Sequence, residues 1–178
     1  MTTLTPALPD AEALIGELVR ALRGRVTAQT GIVGIVTGGA WLAERLHQAL
    51  GPATALGRLD ISFYRDDFNE AGLHHQVRPS QIPFEVQGRS LLLVDDVLYT
   101  GRTVRAAMNE LFDYGRPSRI DLAVLVDRGG RELPVAAQFA GTSVEVPAGQ
   151  VLVLDRDTAG RLTLRLSDKH RERRKEQA

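Results

Sequence analysis

The sequence predicts an α/β fold, with a mostly parallel sheet carrying helices on both faces. Three observations predict it. Short, predominantly apolar runs at Ile32–Val36, Leu91–Val94 and Ile120–Val126 read as strands buried on both sides. Between them lie longer stretches whose apolar residues recur at helical spacing. Glycine or proline follows those stretches, at Gly24, Gly51-Pro52 and Gly115–Pro117.

In chain order, Asp10 reads as the N-cap of a helix whose apolar face carries Leu14, Leu18 and Leu22. The strand Ile32–Val36 is broken at once by Gly38-Gly39. A helix over Ala40–Leu50 follows, with Leu42, Leu46 and Leu50 four residues apart. Residues 54–64 read as a strand, with Leu59, Ile61 and Phe63 alternating to one side. Residues 65–81 are polar and mixed in charge, and they include Gly72, His74, His75, Pro79 and Ser80. They read as a long exposed loop, and loops of that length in compact domains often act as lids. Arg89–Val94 is the clearest strand, and it runs into Asp95-Asp96 and then Gly101. A helix is expected over residues 102–114, with Trp41 and Met108 on predicted helices as core residues. Residues 151–154 and 162–166 alternate around a turn at Asp155–Gly160, the pattern of a small antiparallel β-hairpin. The expected organisation is a single domain over residues 1–167. A tail over 168–178, with five cations and three anions, is expected to fray.

Composition narrows the function. The 178 residues carry 22 Lys+Arg against 22 Asp+Glu, so a protein held on nucleic acid mainly by net charge is disfavoured. Twenty of those cations are arginine; the lysines are Lys169 and Lys175. The absence of cysteine removes disulfides, thiolate metal sites and cysteine nucleophiles together. Asp10 and Glu12 stand where a signal peptide needs a basic start, and the apolar runs, such as Leu91–Val94, are far shorter than a membrane span. A soluble, cytoplasmic protein with no membrane partner is expected.

The chemistry concentrates in Leu91–Thr103. Ligands of open parallel sheets bind at the carboxyl ends of the strands, and Asp95-Asp96 sit at such an end. Thr100, Gly101, Arg102 and Thr103 then open a helix. Free N–H groups at a helix start, joined by threonine hydroxyls, cradle a phosphate, and Gly101 lets the backbone approach it. Paired carboxylates suit sugar hydroxyls or a hydrated Mg²⁺. A ligand with a phosphate at one end and a diol plus metal at the other satisfies the whole run. The segment lacks the Gly-Lys-Ser/Thr ending of a P-loop.

This thirteen-residue pattern resembles the phosphoribosyl-pyrophosphate (PRPP) motif of type I phosphoribosyltransferases. Together with Asp60–Asp67, Gly115–Pro117 and Leu122–Pro134 it resembles the PyrR family, pyrimidine operon attenuation regulators with uracil phosphoribosyltransferase activity. The likeness spans about residues 31–166 and implies the type I phosphoribosyltransferase fold. It implies that Asp95 and Asp96 hold the ribose hydroxyls and act on Mg²⁺ indirectly, through PRPP and water. Val97, Leu98, Tyr99, Thr100, Gly101, Arg102 and Thr103 would form the phosphate-binding segment. Thr37-Gly38-Gly39 would be the pyrophosphate loop, and Arg65 would act in catalysis from the closing loop. Val126, Asp127, Arg128 and Arg131 would face the base and the pyrophosphate. The implied reaction converts uracil and PRPP to UMP and pyrophosphate in a homodimer or tetramer. The alternative is a nucleotide-sensing regulator that binds pyrimidine leader RNA, with little catalysis.

One position bears on the substrate, and three features depart from the family pattern. Tyr99 stands where purine salvage relatives commonly carry aspartate, which speaks against a purine substrate. Gly38 stands where an arginine is expected in the pyrophosphate loop, a change expected to weaken PRPP binding. Gly130 replaces an expected histidine. Residues 10–30 lack the Thr-Arg-x-x-His pattern of RNA-binding members. Arg20, Arg23 and Arg25 could meet RNA, but they equally complement a helix C-terminus. His74-His75 are expected as exposed loop residues rather than metal ligands, because adjacent side chains point apart.

Overall fold

In a computed structural model, the structure describes residues 8–51, 53–61, 79–169 and 172. A five-stranded, wholly parallel sheet has the order β2-β1-β3-β4-β5, formed by β1 (Thr30–Ile35), β2 (Ala55–Leu59), β3 (Ser90–Leu98), β4 (Arg119–Asp127) and β5 (Phe139–Ser143). The helices are α1 (Ala11–Leu22), α2 (Gly38–Leu50) and α3 (Arg102–Asp113). Strands β6 (Gln150–Arg156) and β7 (Leu162–Asp168) form an antiparallel hairpin outside the sheet.

The continuous apolar runs follow from burial on both sheet faces. Successive side chains of a strand point opposite ways. Leu92 and Val94 therefore enter one core with Leu14, Leu18 and Leu22 of α1 and Leu42 and Leu46 of α2. Leu91 and Leu93 enter the other with Val104, Ala107 and Leu111 of α3. The hairpin seals the first core through Leu152, Leu154 and Leu162. Trp41 and Met108 are only partly buried, each packed against the rim of one core.

Several elements differ from the sequence expectation, and β2 ends at Leu59, so Ile61, expected within that strand, lies beyond it. Strand β3 runs four residues past Val94, so Asp95 and Asp96 belong to the strand itself. Pairing of Asp95 with Val124 and of Val97 with Val126 holds the chain extended through both carboxylates. Helix α2 starts at Gly38, because both glycines lie in its first turn against β3. Strand β5 was not anticipated: Phe-Ala-Gly-Thr-Ser lacks an apolar alternation. It forms because Gly141 approaches β4 and α1 closely; a Cβ there would meet the Leu125 carbonyl oxygen at 2.7 Å. Phe63, Arg65, His74 and His75 lie outside the described residues.

Asp10 caps α1 as expected, its carboxylate accepting from the Glu12 N–H at 2.9 Å. Glu12 then joins three elements, accepting from the Arg45 guanidinium of α2 and from the Leu162 N–H of β7 at 3.0 Å. The Arg45 hydrogen bond holds the Glu12 carboxyl below its ordinary pKa, with burial opposing and the Leu162 N–H assisting. A depressed pKa means stabilisation that is present above the unfolded value and lost as pH falls through the folded one. Glu12→Gln is expected to cost about 1–2 kcal/mol at pH 7, a charged hydrogen bond discounted for partial exposure. Urea unfolding should show the deficit shrinking as pH drops below about 4. An equal deficit at pH 3 and pH 7 would refute the ionic origin.

Candidate active site

The site is built where β3 ends. Asp95 is buried, 5% exposed, and its Oδ1 accepts the Asp96 N–H at 3.0 Å. That bond turns one carboxylate back along the chain and leaves Asp96 beside the first turn of α2. A Cβ on Gly38 would lie 2.3 Å from the Asp96 Oδ2, and one on Gly39 would lie 2.5 Å from the Val94 carbonyl oxygen. The two glycines therefore let α2 begin directly against the carboxylate pair. Thr37 caps α2 without a side-chain hydrogen bond, and the Val36–Thr37 peptide is cis.

After Leu98 the chain turns through Tyr99, Thr100 and Gly101 into α3. Gly101 sits at φ +93°, a left-handed conformation that glycine adopts without a Cβ penalty. The Arg102 N–H meets the Thr100 Oγ1 at 3.3 Å, and no side chain caps the helix. The first-turn amides of α2 and α3 thus both open at the carboxyl edge of the sheet, supplying N–H donors and positive dipole ends beside two carboxylates.

The loop after β4 braces this turn. The Arg131 Nη1 donates to the Tyr99 carbonyl at 2.6 Å, and its Nη2 pairs with Asp127. Burial alone would raise the Asp127 pKa, but the Arg131 hydrogen bond, the Gly129 N–H and the Arg131 charge outweigh it and hold the carboxyl low. The Thr100 carbonyl accepts from the Glu132 and Leu133 N–H groups. The Arg102 Nε donates to Glu132 at 2.9 Å. The Arg128 guanidinium lies 3.9 Å from the centroid of the Tyr99 ring, a cation–π contact. Tyr99 itself is 41% exposed. Gly130, at φ +70°, leaves room for that ring: a Cβ there would meet Tyr99 Cε2 at 2.4 Å.

A cleft of about 730 Å³ runs over this turn. Asp95, Asp96, Val97, Leu98, Tyr99, Thr100, Gly101, Arg102 and Thr103 line one wall, and Arg128 joins them. Val126 is fully buried in the first core; Gly38 lies against Asp96 and Gly39 against Val94 and Asp95, and these glycines, Thr37, Asp127 and Arg131 are not among the residues lining the cleft. The opposite wall is residues 148–153 of the hairpin with Lys169 and Glu172. Sequence reasoning missed this wall. Period-2 alternation marks a hairpin but carries no signal for where it docks, and β6 packs across onto α2 and β3. Glu172 accepts from Arg165 at 3.1 Å and from the Ser167 hydroxyl at 2.7 Å, which ties the start of the expected tail to β7.

At the other side of the sheet edge, the ends of the segment around residues 62–78 are pinned together. Arg58 and Gln81 exchange two backbone hydrogen bonds, and the Ser80 hydroxyl accepts from the Asp60 N–H while donating to Glu110. Burial pushes the Glu110 carboxyl above its ordinary pKa, opposed by the Ser80 bond and reinforced by the charges of Asp60 and Asp113. Among the described residues no group of three or more His, Cys, Asp or Glu side chains could hold a metal. The Asp95-Asp96 pair fits a cation that arrives with oxygen ligands of its own, as Mg²⁺ does on a diphosphate.

Comparisons with known proteins agree with this geometry. The profile of the phosphoribosyl transferase domain matches residues 6–150. The bifunctional protein PyrR of Ralstonia nicotianae is 50% identical over 155 residues, covering 85% of this chain and 88% of that protein. The bifunctional protein PyrR of Pseudomonas fluorescens is 48% identical over 146 residues, covering 80% and 87%. Among solved structures, a hypoxanthine phosphoribosyl transferase of Trypanosoma cruzi superposes with a TM-score of 0.67 at 18% identity, over 100% of this chain and 99% of that one. A purine phosphoribosyltransferase of Pyrococcus horikoshii gives 0.56 at 22% identity, over 76% and 83%. At those identities the structural likeness speaks for the fold, and the family comes from the sequence matches. A parallel sheet ending in paired carboxylates at an open helix start, in a chain half identical to PyrR proteins, belongs to the PyrR family of type I phosphoribosyltransferases.

Proposed function

We propose that the chain transfers the phosphoribosyl group of PRPP to uracil, giving UMP and pyrophosphate. The carrying observation is the junction of Asp95-Asp96 with the uncapped start of α3 on one cleft wall. In the reaction the bond from the anomeric carbon to the pyrophosphate oxygen breaks. A bond from that carbon to the base N1 forms, and the N1 proton leaves. Positive charge develops on the ribose, so the protein's work is positioning, charge screening and exclusion of water.

Asp95 and Asp96 accept from the ribose hydroxyls. Thr100, Gly101, Arg102 and Thr103 wrap the 5′-phosphate through hydroxyls, amides and one guanidinium. Thr37, Gly38 and Gly39 offer α2 amides to the pyrophosphate. Arg128 and Tyr99 border the base, with Val126, Asp127 and Arg131 holding that strand end behind them. Mg²⁺, bound through PRPP and water, neutralises the leaving diphosphate. Arg65, to which the family likeness gives a part in catalysis, lies outside the described residues. The protein works in the cytoplasm; among the described residues no helix is long and apolar enough to cross a membrane. Phe112 and Tyr114, 54% and 44% exposed at the end of α3, give a homodimer or tetramer an apolar contact.

Tyr99 supports uracil over a purine, since an exposed phenol there offers no carboxylate to a purine ring nitrogen. The test is product formation from PRPP and Mg²⁺ with uracil, orotate, hypoxanthine and adenine in parallel. UMP is expected. Turnover of another base alone overturns the base assignment, and undetectable PRPP binding overturns the whole reading.

One observation favours the second reading, an RNA-binding regulator. Arg25, Arg89 and Arg119, distant in sequence, line one cavity of about 370 Å³ at the amino ends of β1, β3 and β4, opposite the active site. Asp121 pairs with Arg119 there, and Arg89 is spent partly on the Glu85 and Gln29 carbonyls. Titration of pyrimidine leader RNA across a salt series, with and without UMP, decides it; affinity absent in both sinks it.

A further inference from the structure

We propose that Lys169 is a substrate-binding residue that reaches across the cleft to the phosphate groups of PRPP. The inference rests on the PRPP reading but not on the choice of uracil. It begins with the charges along the cleft. The charged residues lining it are Asp95, Asp96 and Glu172 on the acidic side, and Arg102, Arg128 and Lys169 on the basic side. A ligand that carries a monophosphate and a diphosphate meets as many anions as cations there, so the availability of each cation decides how well it is held.

Two of the three cations are already engaged. The Arg102 guanidinium is held by Glu132 at 2.9 Å. Arg128 is held in place against the Tyr99 ring, although its Nε meets no hydrogen-bond partner among the described residues. The Lys169 ammonium has no hydrogen-bond or ion-pair partner among the described residues, and the residue is exposed. Its backbone, by contrast, is fixed. The Lys169 N–H donates to the Gly149 carbonyl at 3.0 Å, directly beyond the last β6–β7 pair, Gln150 with Asp168. A fixed root on one wall and an unspent ammonium on a flexible four-carbon stem suit capture of phosphate oxygens, for which lysine acts as a mobile point charge. Because Lys169 stands on the hairpin and the threonines on the β3–α3 turn, a bound phosphate would join the two walls.

The test is calorimetric titration of PRPP with Mg²⁺, in the absence of any nucleobase, into the parent, Lys169→Gln, Lys169→Arg and Lys169→Glu. Lys169→Gln is expected to weaken PRPP about tenfold and to flatten the salt dependence of its Kd. Lys169→Glu should weaken it further, while Lys169→Arg stays within about threefold. Thermal midpoints should match, since the side chain is exposed and unpartnered. PRPP bound by Lys169→Gln as tightly as by the parent overturns the inference and leaves the phosphoribosyltransferase reading standing. A parent that binds no PRPP overturns both. A parent that binds PRPP but turns over no uracil touches only the base assignment.

Discussion

Asp96→Asn and Asp95→Asn are each expected to lower kcat by about 10²–10³, the usual loss when a positioned polar group facing developing charge is removed. Both substitutions keep the shape and an acceptor oxygen, so the loss isolates charge. Their structural costs should differ. Asp95 is buried and its Oδ1 holds the Asp96 N–H, a bond that the amide oxygen of asparagine can still accept. Asp96 is half-buried and faces the cleft and the first turn of α2. Asp96→Asn should therefore unfold within a degree or two of the parent, whereas Asp95→Asn should show some thermal loss as well. PRPP titration and steady-state rates on the same preparations separate binding from chemistry. If either variant keeps kcat within about threefold of the parent, the assignment of the carboxylates to the ribose is wrong.

The parts of this molecule that were legible in its sequence are those that local patterns encode. Leu91–Val94 had to be a doubly buried strand, and Leu14, Leu18 and Leu22 had to share a helix face; each enters its core as expected. The strand-to-helix turn over Asp95–Thr103 was legible because it is made of consecutive residues, and consecutive residues are what a sequence displays. What stayed hidden depends on approach between distant segments. Phe139–Ser143 becomes a strand because Gly141 lets the chain lie against Leu125, not because its own residues favour extension. Lys169 read as the start of a charged tail, yet its backbone is fastened to Gly149 on the cleft wall. The neutral charge balance hid the gathering of Arg25, Arg89 and Arg119, since segregation of charge is a property of the fold. The candidate site follows the same division: the β3–α3 turn is a local pattern, while the wall facing it is assembled from the distant hairpin.

Gly38→Arg brings the two ways of reasoning into direct conflict. By family likeness, an arginine in the pyrophosphate loop adds a cation toward a highly charged leaving group, and the substitution should tighten PRPP binding. The geometry predicts the reverse. Any Cβ at position 38 lies 2.3 Å from the Asp96 Oδ2 and 2.6 Å from its Cγ, well inside van der Waals contact. Asp96 cannot yield along the backbone, because β3 is held in register against β4 on both sides of it, at Asp95 with Val124 and Val97 with Val126. Helix α2 cannot retreat freely either, since Gly39 abuts Val94 and its face carries Leu42 and Leu46 into the core. The cheapest relief is rotation of the Asp96 side chain out of its place. That removes one of the two carboxylates from the ribose, so Gly38→Arg should lose about 10²-fold in kcat, comparable with Asp96→Asn. Overpacking of this kind also costs about 1–3 kcal/mol of stability. Gly38→Ala separates charge from bulk, because it adds the same Cβ without a guanidinium and should lose activity in the same direction. A Gly38→Arg variant that binds PRPP more tightly than the parent at undiminished kcat would mean that the first turn of α2 moves aside when substrate arrives.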